Sequence, residues 1–164
     1  AQNSDAKEIA ELYNAEVINI YKPSMLRHKK EFQEIFFTGF NDGYITRFVL
    51  EEDSKILGYF SISTNDNLNY ILDVTTNSGY NFEYDKIINI MLCEIARKRR
   101  AFYPIIKQKK YTKNSEKFEN YLKSKNYIPI QTKQILVKDF YKPITETSSE
   151  WKVFILGENQ ISIN

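Results

Sequence analysis

Cysteine, histidine and glycine are scarce in this chain, and each scarcity removes a class of function. A single cysteine, Cys93, excludes an internal disulfide and fits a reducing, cytoplasmic compartment. In the apolar run from Ile87 to Ile95, Cys93 reads as a small buried hydrophobe rather than a nucleophile. A single histidine, His28, distant from that cysteine in sequence, leaves too few soft ligands for a zinc site, so no metal is expected. Nor do these residues compose a nucleophile triad. No apolar segment approaches the ~20 residues of a membrane span, and no signal-peptide pattern is present. The sequence opens on Ala1 rather than Met, so it is read as a trimmed chain or a piece of something longer. A net charge of +2 is too small to predict nucleic-acid binding by the protein as a whole.

The residues that remain describe a globular chain. Apolar residues make up 42% and aromatics 15%, enough to bury a core in a chain of 164 residues. Helical spacing of Ile9, Leu12, Tyr13, Val17 and Ile20 predicts a helix over Asp5 to Ile20, capped by Ser4 or Asp5. Pro23 breaks it. Ser24 then caps an expected second helix carrying Leu26, Phe32, Ile35, Phe36 and Phe40, ended by Asn41-Asp42-Gly43.

Beyond that point the period becomes two. Tyr44 to Glu51, Lys55 to Thr64 and Leu68 to Thr75 form an expected antiparallel meander with turns at Glu52-Asp53-Ser54 and Asn65-Asp66-Asn67. A helix follows over Glu83 to Arg97 with Ile87, Ile88, Met91, Leu92 and Ile95 buried. Phe102 to Ile106 is a short strand parallel to the one before that helix. Ser115 to Ser124 is a helix presenting Phe118, Tyr121 and Leu122. Tyr127 to Ile130 and Gln134 to Phe140 are expected to close the sheet, and Trp151 to Leu156 is a last strand. The Ser/Thr-rich stretch Pro143 to Glu150 is the best boundary, dividing a domain at 1–142 from a C-terminal extension at 143–164. That extension is expected to join the same domain or to pair with a neighbour's sheet edge.

The most informative stretch is Asp73-Val74-Thr75-Thr76-Asn77-Ser78-Gly79-Tyr80-Asn81-Phe82, running into Ile87 to Ile95. A strand that stops where a helix starts brings free N–H groups and a helix dipole to one point, which suits a pyrophosphate. Amides from Ser78, Gly79, Tyr80, Asn81 and Phe82 are its candidate ligands. The element order and two motifs resemble the GNAT acetyltransferase superfamily. The motifs are this strand-turn-helix and the segment Ser115 to Pro129 (SEKFENYLKSKNYIP), and the opening Ile9 to Asn14 is similar to the first helix of such domains.

The resemblance implies an α/β (α+β) fold: a GNAT-like mixed, mostly antiparallel central sheet flanked by helices on both faces. It also implies an acetyl-CoA-dependent N-acetyltransferase. Its acceptor is a small-molecule or peptide amine, with a homodimer or tandem domain as an expected arrangement, and with no nucleic-acid or membrane partner. Counting from Val74, the two glycine places of the family turn fall on Phe82 and Tyr84, Leu122 stands at the general-acid Tyr, and Asn126-Tyr127 stand for Gly-Phe. The alternative is therefore a catalytically degenerate module of the same fold. On this resemblance the backbone of Val74 and Thr76 holds the pantetheine arm, Asn114 lies beside the usual Asn, Asp73 is the candidate base, and Tyr121 is the phenol nearest the vacant acid place. The basic stretch Arg97 to Arg100 with Lys107, Lys109, Lys110 and Lys113 reads first as cations at a helix C-terminus and a solvated loop; of its two functional readings, a site for the adenosine phosphates of coenzyme A is favoured over a patch for an anionic partner such as RNA.

Overall fold

The computed structural model describes residues 1–33, 44–132, 135–138 and 153–156. Helix α1 spans Ala6–Glu16 and turns Ile9, Ala10, Leu12 and Tyr13 inward. The first helix stops four residues short of the expected Ile20, which is exposed in a 3-10 turn at Asn19–Tyr21, and over its described residues the expected second helix is replaced by shorter pieces, α2 at Lys22–Met25 and a 3-10 turn at Lys29–Phe32. The cause is local. Asn14 Nδ2 donates to Arg27 O (2.9 Å) and Arg27 N–H donates to Asn14 Oδ1 (2.8 Å), which pins Leu26–Arg27 as extended chain. His28 then restarts the chain as an N-cap, its Nδ1 accepting from Lys30 N–H at 3.2 Å. Ile35, Phe36, Phe40 and Asn41-Asp42-Gly43 lie outside the described residues.

The meander forms as β1 (Tyr44–Glu52), β2 (Lys55–Thr64) and β3 (Asn69–Thr76), antiparallel in sequence order. Asp53 and Ser54 take φ of 49° and 59°, the left-handed pair that a two-residue hairpin needs. Helix α3 (Tyr84–Lys98) crosses over to β4 (Tyr103–Lys107), which pairs parallel to β3 and completes the order β1-β2-β3-β4.

The two sheet faces carry separate cores. Phe60, Ile62, Leu72 and Val74 meet Ile87, Ile88, Met91 and Ile95 of α3 and Phe118 of α4 (Ser115–Ser124). Tyr59, one residue out of phase with Phe60, meets α1, Met25 and Phe32 on the opposite face. Cys93 is exposed, contrary to the buried reading, because it falls outside the i, i+3, i+4 stripe that α3 buries.

Helix α4 ends with Asn126 at φ 58°, a left-handed position Asn tolerates in place of glycine. The chain at 127–130 is then not a strand, and Ile128 and Ile130 are exposed. Strand β5 (Ile135–Lys138) pairs antiparallel with β6 (Val153–Leu156) in a sheet of its own rather than closing the central one. Phe140, Trp151 and the stretch 143–150 lie outside the described residues.

Candidate functional site

The parallel register of β3 and β4 stops at Asp73↔Lys107, while β3 continues against β2 through Thr76↔Gly58. The strands part because the chain beyond β4 is drawn to the end of α1. Val17 bridges Thr112, Ile18 N–H donates to Tyr111 O (3.0 Å), and Lys113 N–H donates to Glu16 O (2.9 Å). Asn77 N–H donates to Leu57 O at 2.9 Å, which fixes the phase of the β2–β3 ladder. By alternation, Val74 and Thr76 aim their N–H and C=O groups away from β2, toward the opening.

That opening is a cavity lined by Glu16, Val74, Thr76, Tyr84, Lys109 and Asn114, among others. It is small, about 20 Å³, and opens to solvent. Asn114 spans it, Nδ2 donating to Thr76 O and Thr76 Oγ1 at 3.0 Å each. Tyr84 forms a wall, with its hydroxyl 3.3 Å from Thr76 Oγ1 and its ring 5.0 Å from that of Phe118.

Charge in the cavity is concentrated on two buried groups. Lys109, 5% exposed, donates through Nζ to Asp73 Oδ1 and to Thr75 Oγ1 (2.6 Å), with the Tyr13 ring centroid 5.4 Å away. Burial alone would raise the Asp73 carboxyl, yet Lys109 and then Lys107, 3.3 Å from Oδ2, more than offset it and hold the group below its ordinary value. Burial pulls the Lys109 ammonium down, and Asp73 restores it only in part. The other group is Glu16, the last residue of α1 and 3% exposed. Its Oε1 accepts from Ser78 N–H (3.0 Å) and Ser78 Oγ (3.2 Å), and its buried Oε2 has no hydrogen-bond partner among the described residues.

The turn at Asn77 to Phe82 offers fewer free donors than its sequence suggests. Ser78 N–H is held by Glu16, Gly79 N–H by Asn77 Oδ1 (2.9 Å), and Tyr80 N–H by Asn77 O (3.3 Å). Asn81 and Phe82 keep N–H groups without a partner among the described residues, and the Phe82 ring packs against the α3 core. Tyr121 does not line the cavity. Its hydroxyl donates to Asp85 Oδ1 at 3.1 Å, and burial together with that carboxylate pushes the phenol up.

Most of the basic stretch is engaged nearby: Arg97 and Lys98 with Glu94 (3.0 and 2.9 Å), Arg99 with Tyr70 and Asn67, and Lys110 with Glu119. His28 is exposed and serves as a cap. The structure thus gathers Val74, Thr76 and Asn114 at one cavity, with Asp73 bound to its wall through Lys109, and leaves Tyr121 aside. Sequence reasoning missed Glu16, whose only signal was a charged residue at the end of an apolar helical stripe. No group of three or more His, Cys, Asp or Glu able to hold a metal occurs among the described residues.

No family model and no curated protein matches the sequence significantly. Among solved structures, the chain is similar to the PaiA N-acetyltransferase from Thermoplasma acidophilum, whose crystal structure is a complex with coenzyme A. The two are 14% identical with a TM-score of 0.52, and the match covers 76% of this chain and 84% of the other. At that identity the likeness establishes the fold alone. The chain has a GNAT-like α+β fold, with a mixed, mostly antiparallel sheet between helices.

Proposed function

We propose that this chain is an acetyl-CoA-dependent N-acetyltransferase acting on a primary amine, small-molecule or peptidic. The observation that carries the reading is the parting of β3 from β4 after Asp73↔Lys107, which leaves Val74 C=O and Thr76 N–H beyond the ladder, with Thr76 O held by Asn114. A pantetheine arm is an extended chain of amides, and it pairs with such an edge as an added strand does. In this reading Val74 and Thr76 hold the arm, and Asn114 swings from Thr76 to the arm's amides. Asn81 and Phe82 N–H groups meet the diphosphate, joined by Ser78, Gly79 and Tyr80 when Glu16 and Asn77 release them. The bound thioester supplies an activated acetyl group whose carbonyl the open-edge amides polarise. Asp73 is the proposed base and Tyr121 the proposed acid, each acting once its present partners, Lys109 with Lys107 and Asp85, let go.

Residues 143–164 are assigned to the same domain as 1–142, a reading supported by the pairing of β6 with β5. A second copy or a tandem neighbour is the proposed protein partner. A cytoplasmic setting suits the single exposed cysteine, and no helix among the described residues is long and apolar enough to cross a membrane.

A second reading, a catalytically degenerate module of this fold, is favoured by one observation: three of the five candidate amides are already satisfied within the protein. Calorimetric titration with acetyl-CoA, paired with an amine panel monitored for acetylated product, decides between them. Saturable binding with transfer supports the enzyme. Binding without transfer supports the module, and no binding at about a millimolar, the weak end of useful affinity, removes the enzyme and leaves the module.

A further inference from the structure

Glu16 Oε2 is the one buried side-chain polar atom of the described residues recorded without a hydrogen-bond partner. Such an atom forfeits its hydration with nothing in return, and a carboxylate forfeits more than a neutral group. Its other oxygen is fully used, accepting two bonds from Ser78, so the carboxylate is held in one orientation. Lys109, the other charged residue lining the cavity, is already committed to Asp73 and Thr75. Glu16 therefore presents a fixed negative charge to a cavity in which nothing opposes it. The remaining polar side chains of the lining, Thr75, Thr76, Tyr84, Thr112, Asn114 and Ser115, carry oxygens able to accept. One small group satisfies charge, donor count and a room of about 20 Å³ together: a primary ammonium, with three N–H donors on a compact head.

We propose that Glu16 is an amine-binding residue, and that the cavity between the ends of α1, β3 and α4 receives the protonated head of a primary alkylamine. The transferase reading places the pantetheine arm along the same edge, at Val74, Thr76 and Asn114, so the ammonium head and the arm would compete for this cavity. The binding itself requires no thioester and is tested without one. Selectivity follows from the geometry. A trimethylated ammonium carries the same charge without N–H donors. An alcohol of equal length has the donor but not the charge.

The test is an NMR titration of the full chain with n-propylammonium chloride at neutral pH, following the Ser78 amide, which reports on Glu16 through its bond to Oε1. The expected result is a saturable Ser78 shift with the primary ammonium and none with N,N,N-trimethylpropylammonium or 1-propanol. Glu16→Gln should weaken binding about tenfold or more, the usual worth of a charge-assisted bond. The three-ligand comparison on wild-type protein stands even if the variant does not fold. An unmoved Ser78 at about 100 mM amine, a hundredfold above a millimolar site, overturns the proposal and makes the cavity the place of a structural water. Equal shifts from both cations, or unchanged affinity in a folded Glu16→Gln, overturn it as well. Loss of coenzyme A binding in that variant with no amine response also overturns it, assigning Oε2 to the pantetheine arm. Amine binding without acetyl transfer leaves this inference standing and sinks the transferase.

Discussion

Replacing Lys109 with Met removes the buried cation that organises the cavity wall. Breaking a buried ion pair by deleting one partner costs about 3–5 kcal/mol when the surviving charge is stranded. Asp73 is not wholly stranded, since its side chain is 21% exposed and Lys107 stands 3.3 Å away on a side chain 45% exposed. Met also retains most of the apolar stem packing beneath Tyr13. We therefore expect Lys109→Met to cost about 2 kcal/mol, a fall in Tm of roughly 4–8 °C for a chain of this size. Asp73→Asn strands the more deeply buried partner and should cost about 3–4 kcal/mol. The double variant should cost less than the sum, with a coupling of about 1.5–2 kcal/mol. Urea denaturation of all four proteins, followed by far-UV circular dichroism, measures the cycle.

Acid adds a second readout. The folded pKa of Asp73 lies below its unfolded value of about 3.9, so its contribution is complete above that pH and fades as pH falls through the folded value. Wild type should lose stability below about pH 4 more steeply than Asp73→Asn. A Lys109→Met variant within about 0.5 kcal/mol of wild type, the scatter of a neutral surface change, or a strictly additive cycle, refutes the reasoning.

Three further outcomes follow from the same region. At Gly58, which faces Thr76 across the ladder, an added Cβ would lie 2.6 Å from Phe60 Cζ in a packed core, so Gly58→Ala should cost about 1–3 kcal/mol in a thermal melt. Asn114→Ala removes both bonds to Thr76 at a buried position and should cost about 1–3 kcal/mol in the same melt; an unchanged Tm would mean the bonds contribute nothing. Tyr121→Phe should lower acetyl transfer at least tenfold, 1.36 kcal/mol of barrier, if the phenol leaves Asp85 to act as the acid; a change within about threefold would remove it from that role and leave it a partner of Asp85.

What the sequence made legible was whatever depends on near neighbours along the chain. The two-residue period placed β1, β2 and β3 within a residue or two, and the stripe Ile87, Ile88, Met91, Ile95 placed α3 with its buried face. What failed depended on partners far away in sequence or on side chains that hold backbone. Nothing in the spacing of Leu26 and Phe32 shows that Asn14 grips Arg27 and interrupts the helix. Nothing in Tyr127 to Ile130 shows that β5 takes β6 as its partner. At the cavity the divide is the same. Val74 and Thr76 were singled out by the GNAT resemblance, and the structure puts both on the cavity wall. Glu16 was not, because its meaning comes from Ser78, 62 positions along the chain.

The outward-facing sulfur of Cys93 gives the chain an internal standard. A chromogenic disulfide reagent, used to count coenzyme A as it leaves, will also react with that thiol. Each molecule then contributes one equivalent of colour before any turnover. The initial burst titrates protein concentration, and the slope beyond it is the only part that reports chemistry. Left uncorrected, the burst would credit an inert scaffold with one catalytic cycle.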